Sequence, residues 1–277
     1  MEKLDAIEAV LEKAHAQNRT ALLETEVYQI LSLSGLSVPK FLFYPSEPAV
    51  LDGAAGDIVS SLSGGKVVIK IVSSRTLHKT EAGGVVISPL ETTEVEKAVR
   101  AVKGRFPEAE GLMACEFAEH SPFALGEEFM LGARSDDAFG PLITLGAGGT
   151  HAEGLTSALR PGTGPGIVPV DLARNSGEWQ AFLDGNWAWR YASGRVRGSR
   201  RSVQDGEMLK WLEAFAYIMR YFRDGGASRF AIEEFEVNPL AVSKGALIAL
   251  DGVLRFRPAV KKGRARPSRK GVSALLA

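Results

Sequence analysis

The chain has 277 residues, 45% of them hydrophobic, and its 33 basic side chains balance 33 acidic ones at a pI near 6.9. That length can bury a core for two lobes, and the balance of charge argues against nucleic acid as the main partner. The single cysteine, Cys115, excludes an internal disulfide. No apolar run reaches the ~20 residues of a membrane span. The charged start (Glu2, Lys3, Asp5, Glu8) lacks the apolar stretch of a secretion signal, so a cytoplasmic protein without membrane partners is expected.

In chain order, Leu23, Val27, Ile30 and Leu31 fall on one face of a helix expected over 20–34. Gly35 ends it, and Val38-Pro39 opens an extended segment. The Gly-, Ala- and Ser-rich stretch 47–65 has no clear assignment. Residues 67–72 are nearly all β-branched and predict a buried strand. A polar loop over 73–84 closes on Gly83-Gly84, and 85–87 reads as a short strand. Thr93 and Glu96 form a capping-box pattern for a helix through Val95, Val99 and Val102. Strands are expected over 111–117, 128–133 and 141–145, the last two joined by Ser135-Asp136-Asp137. Residues 161–166 must be loop. A helix over 207–222 carries Met208, Trp211, Leu212, Phe215 and Met219 on one side. Two strands, 229–237 and 246–250, close the fold, with Pro239 expected at a strand end. The basic stretch 261–277 reads as a disordered tail. The alternation of strands and helices predicts an α/β or α+β class, without internal repeats.

Four groups of residues can carry chemistry. Lys70 lies inside the apolar strand; such a lysine ordinarily faces solvent, but it can also aim a cation at phosphates. His78 stands in a polar loop beside Lys79; a loop histidine is ordinarily a surface residue, yet a neutral imidazole is also a phosphate acceptor. Gly83-Gly84 would let the backbone approach phosphate oxygens. The segment Gly146-Ala147-Gly148-Gly149-Thr150 can present N–H groups to an anion, although Gly-rich turns between strands are common. It is neither a dinucleotide fingerprint, since His151 replaces the third glycine, nor a Walker A motif. Finally, Glu234, Glu236 and Asn238 share one face of a strand by the period of two, with Asp251 on the next strand. These oxygen donors suit Mg²⁺, which takes few protein ligands and fills the rest with phosphate and water.

Taken together and in order, VVIKIVS, LHKTEAGG, the strand ending at Glu116, EFMLG from Glu128, LGAGG, EFEVNPL and ALDG resemble the ATP-grasp subunit of ADP-forming acetyl-CoA synthetases. They are also similar to the β subunit of succinyl-CoA synthetase. The likeness covers roughly residues 20–252. It implies an ATP-grasp fold whose two lobes hold ATP or ADP between them: 1–115 as N-terminal helix and first lobe, 116–260 as second lobe with the metal site. By resemblance, Lys70, Gly83, Gly84, Glu116, Glu128, Gly148 and Gly149 surround the nucleotide, with the adenine at a hinge by Glu116. Asn238 and Asp251 match Mg²⁺ ligands, with Glu236 assisting, and His78 matches a histidine that relays the phosphoryl group. Arg160 and Arg197 resemble arginines near the phosphate path. The family's CoA-binding fold and its swinging phosphohistidine loop lie in an α-type subunit or domain, so a partner of that kind is expected. Two other readings stay open: a different ATP-grasp carboxylate ligase working through an acyl phosphate, and a non-catalytic regulatory subunit.

Overall fold

The computed structural model describes residues 2–47, 51–74, 82–122, 124–149, 152, 154, 164–173 and 175–260. The expected loop histidine His78, Arg160 and the basic stretch 261–277 lie outside the described residues.

Two helices, α1 (Glu2–Ala16) and α2 (Glu24–Leu33), precede a four-stranded antiparallel sheet. That sheet contains β1 (Phe41–Pro45), β2 (Lys66–Val72), β3 (Val85–Pro89) and β4 (Gly111–Glu116), in the order β1-β4-β2-β3. Helices α3 (Ala54–Ser61) and α4 (Thr92–Arg105) cover one face. The strand period of two decides what each face does. Val67, Ile69 and Ile71 of β2, with Leu112 and Ala114 of β4, join Ile58, Val95, Val99 and Val102 in a small core. The alternate residues Val72, Met113 and Cys115 belong to the core of the larger body instead. Lys70 shares their parity, so its strand delivers it between the two bodies.

The larger sheet runs β10-β8-β5-β6-β7, with β9 paired to β8. Its strands are β5 (Glu128–Asp136), β6 (Gly140–Ala147), β7 (Gly166–Pro169), β8 (Phe230–Ser243), β9 (Ala246–Ala249) and β10 (Gly252–Pro258). The β5–β6 turn is held by Asp136, whose Oδ1 accepts the N–H groups of Ala138 and Phe139, each at 2.8 Å. Helices α5 (Ser176–Gly185), α6 (Trp187–Ala192) and α7 (Asp205–Tyr221) complete the body. The apolar side of α7 is buried, and Phe215 stacks on Phe235 with ring centroids 4.1 Å apart. No helix of the described residues is long and apolar enough to cross a membrane.

Several expectations need correction. The division at 115/116 groups the N-terminal helix with the first lobe, whereas Leu4, Ile7, Leu11, Val27, Ile30 and Leu31 are buried in the core of the larger sheet. The chain between α1 and α2 is hydrogen-bonded to β10, with Leu22 N–H donating to Leu254 O and Phe256 N–H to Thr20 O, both at 2.9 Å. Helix α4 starts at Thr92 with Glu91 as its N-cap and no side-chain cap, so the Thr93–Glu96 box does not form. Pro239 lies within β8, not at its end. The β5–β8 register slips between Phe129 and Leu131, and a proline is tolerated at such a bulge because no ladder N–H is required of it. Three strands rather than two close the fold.

Gly35 ends α2 as predicted. Its φ is +79°, its N–H donates to Ser32 O, and Leu36 N–H donates to Leu31 O, both at 2.9 Å. This is a Schellman closure, which requires a left-handed residue. The Gly35→Ala variant is therefore expected to lose about 1 kcal/mol of stability, from the cost of that conformation for an L side chain. Urea unfolding checks it.

Candidate functional site

A cavity of about 260 Å³ opens between the two sheets. Its wall takes Val68 and Lys70 from β2, Val85 and Ile87 from β3, and Cys115 to Ala118 from the end of β4 and beyond. His120 follows, and Asn238, Pro239, Leu250 and Asp251 come from the larger sheet. Four of the residues singled out in the sequence, Lys70, Glu116, Asn238 and Asp251, thus meet on one cavity wall.

Lys70 is 8% exposed. Its ammonium donates to Glu24 Oε1 at 2.8 Å, to the carbonyl of Leu250, and more distantly to Tyr28 Oη at 3.4 Å. Burial pulls the lysine pKa down, but negative groups, Glu24 foremost and Asp251 among them, hold it well above its ordinary value. Lys70 therefore keeps its proton on the cavity wall, its charge paired with Glu24.

Beside it on the same wall stand the oxygen donors. Asn238 N–H donates to Asp251 O at 3.3 Å, pinning the two segments together. Asn238 Oδ1 accepts Gly149 N–H at 3.0 Å, and Asp251 Oδ1 accepts Gly252 N–H at 2.8 Å. Glu236 hydrogen-bonds Asn238 from the same strand face; burial, aided by Glu234, raises its pKa above the usual carboxylate value despite that bond. Among the described residues no group of three or more His, Cys, Asp or Glu could hold a metal by itself. An amide and a carboxylate facing a phosphate-sized space do fit Mg²⁺, which draws its remaining ligands from phosphate and water.

Glu128, Gly148, Gly149 and Glu236 are not on the cavity wall; they support residues that are. Gly148 N–H donates to Glu128 O at 3.0 Å. Gly149 has φ +59°, and a Cβ there would fall 1.8 Å from Glu128 Oε2. Glu128 is also 3.2 Å from Nε2 of His120. His120 Nδ1 lies 2.9 Å from Ala118 O. His120 links the segment after β4 to the glycine loop, a role the sequence reading missed. Its only sequence signal is rarity, one of four histidines, in a segment without periodicity.

The Glu116 carboxylate is turned toward the α3–β2 turn, where Oε1 accepts Ser63 N–H at 3.0 Å and Ser63 Oγ–H at 2.6 Å. Its side chain is thus a brace, and the backbone of 116–118 is what the wall offers to a planar ligand. The Glu116→Gln variant, which keeps an acceptor for Ser63, is expected to change ligand affinity by less than about threefold, since an exposed brace of this kind contributes under 1 kcal/mol. Calorimetric titration checks this. Gly83 and Gly84 lie away from the wall: Gly83 has φ +72° beside Arg105, and Gly84 O accepts Ile71 N–H at 2.9 Å. Arg197 is exposed and also off the wall.

Comparison with known proteins explains the arrangement. The model of the ATP-grasp domain family matches residues 13–256. The chain belongs to the ATP-grasp family. It is similar to the β subunit of the ADP-forming acetate–CoA ligase I of Pyrococcus furiosus, 33% identical over 260 residues, which span 91% of this chain and 98% of that one. It also resembles the ADP-forming 4-hydroxybutyrate–CoA ligase of Nitrosopumilus maritimus, at 28% identity over 53% of this chain and only 20% of that longer protein. Among solved structures, the acetyl-coenzyme A synthetase 1 of Ca. Korarchaeum cryptofilum, determined with coenzyme A and Ca-AMPCP, superposes with a TM-score of 0.71. That match has 23% identity and covers 90% of this chain and 99% of that one, so it speaks for the fold. The two sheets of this chain are thus the halves of an ATP-grasp fold, and the cavity lies between them.

Proposed function

We propose that this ATP-grasp chain is the nucleotide-binding subunit of an ADP-forming acyl-CoA synthetase, which exchanges a phosphoryl group between a phosphohistidine and ADP or ATP. The observation that carries this reading is the meeting of Lys70 with Asn238 and Asp251 on one wall between the sheets. The nucleotide base lies against the backbone of 116–118, and the phosphates extend toward Lys70. Asn238 and Asp251 hold Mg²⁺, with Glu236 keeping Asn238 in place. When bound, Mg²⁺ neutralises phosphate charge and aligns the transferred group. Lys70 offsets charge on the phosphate oxygens, and Val68, Val85 and Ile87 give the wall an apolar stretch. His78 is the residue proposed to relay the phosphoryl group. An α-type subunit bearing the CoA site and the swinging phosphohistidine loop completes the enzyme. Support comes from the near full-length similarity to a ligase β subunit.

Calorimetric titration of the full chain tests the reading. Mg-ATP or Mg-ADP is expected to bind, and omission of Mg²⁺ or the Asp251→Asn variant to weaken binding by about ten- to hundredfold, the loss of one strong charged contact. Binding that ignores both Mg²⁺ and Asp251 would refute the metal assignment, and no binding at all would favour a non-catalytic subunit.

A further inference from the structure

Glu24 is among the most deeply buried charged residues described, 3% exposed overall with its side chain at 0%. A fully buried carboxylate is rare and needs a cation to hold it there. It opens helix α2, where the helix dipole favours negative charge. The body it belongs to is the larger one, while its partner Lys70 stands on β2 of the small sheet. The pair therefore reaches from one half of the fold into the other, and its lysine lines the cavity.

The geometry at the ammonium separates this from a plain structural ion pair. A lysine has three N–H donors and no acceptor. Two are firmly taken, by Glu24 Oε1 at 2.8 Å and by the carbonyl of Leu250. Among the described residues the third meets Tyr28 Oη at 3.4 Å, outside the ordinary range of about 2.7–3.2 Å for such a bond. Two strong acceptors from the larger body thus fix the position of a tetrahedral group carried by the small sheet, and one donor is left with a weak partner that a phosphate oxygen outcompetes.

We infer that Glu24 is a positioning residue for the nucleotide's phosphates: it anchors the Lys70 ammonium at the cavity wall that Lys70 lines. This rests on the reading of the cavity as a nucleotide site. Glu24 itself touches no ligand and acts through Lys70. Its anchor also couples the two halves of the fold, because α2 moves with β10 through the backbone bond from Leu22 to Leu254.

The test compares Mg-ATP with adenosine, which fills the base and ribose space but carries no phosphate. Both are titrated calorimetrically into the full-length wild-type, Glu24→Gln and Glu24→Ala proteins, with thermal melts to confirm folding. Mg-ATP affinity is expected to fall about tenfold for Gln, which keeps an acceptor but no charge, and about a hundredfold for Ala. Adenosine affinity should stay within about twofold, since no contact to base or ribose is removed. If Glu24→Ala fails to fold, Glu24→Gln alone carries the comparison, being nearly isosteric. Equal losses for Mg-ATP and adenosine would reduce Glu24 to a structural residue, and unchanged Mg-ATP affinity would overturn the positioning role while leaving the nucleotide site standing. A wild-type protein that binds adenosine but gains nothing from the phosphates would overturn the site reading and this inference together.

Discussion

Replacing Lys70 by methionine is expected to abolish Mg-ATP binding and to lower the unfolding free energy by about 3–5 kcal/mol. The second effect follows from what is left behind. The Lys70 and Glu24 side chains are 9% and 0% exposed, so solvent hardly screens the pair. Removing the ammonium leaves a buried carboxylate without its counter-charge, and that uncompensated charge is the main source of the cost. The double variant Lys70→Met/Glu24→Leu separates the two roles. It replaces an ion pair by apolar groups of similar volume, a change that is often neutral or stabilising. Its stability should return to within about 1 kcal/mol of wild type on that basis, while Mg-ATP binding stays lost. Denaturant unfolding and calorimetry on the two variants decide the matter. Recovery of binding along with stability would show that Lys70 serves only the fold.

The same residue shows how far the sequence could be read. Lysine at position 70 stands out because a charge in a β-branched run is improbable, and the strand period then places it opposite Ile69 and Ile71. Asn238 and Asp251 stood out for a similar reason: oxygen-bearing side chains that the strand period gathers on one face, with Asp251 on the next segment. Glu24 was not legible. An acidic residue at the start of a helix is ordinarily solvated and suits the dipole, and only the packing of α2 across the larger sheet buries it. His120 escaped for want of any pattern around it. Strand β10 does alternate, with Leu254 and Phe256 buried between Arg255 and Arg257. Its arginines are not part of a basic tail, since Arg257 is paired with Asp224 and Glu233. Pro239 misled in another way. A proline argues against a continuous strand, but a bulge against β5 absorbs it, and that bulge is where Asn238 leaves the ladder to meet Asp251. The irregularity that defeated the strand reading is the one that builds the oxygen side of the cavity.

Glycine substitutions should give opposite signs at two places, and the contrast tests whether the loop after β6 is built for close approach. A Cβ at Gly148 would lie 2.2 Å from the carbonyl carbon of Phe129, 2.3 Å from its oxygen and 2.6 Å from Met130 N. These are backbone atoms of β5, whose ladders to β6 and β8 prevent them from yielding. Gly148→Ala is therefore expected to cost about 3 kcal/mol, at the upper end for overpacking, and to lower Tm by roughly 6–12 °C. It should also weaken Mg-ATP binding, because moving the loop breaks the Gly149 N–H bond that aims Asn238 Oδ1. By contrast, Gly206 lies in α7 with open space around its Cβ position. There Gly206→Ala removes only the backbone freedom of the unfolded chain and should stabilise by about 0.5–1 kcal/mol, with nucleotide affinity unchanged. Thermal melts of both variants, read beside Mg-ATP titrations, give the comparison. A Gly148→Ala protein as stable as wild type would mean that the loop does not lie against β5, and the placement of Asn238 by Gly149 would fall with it.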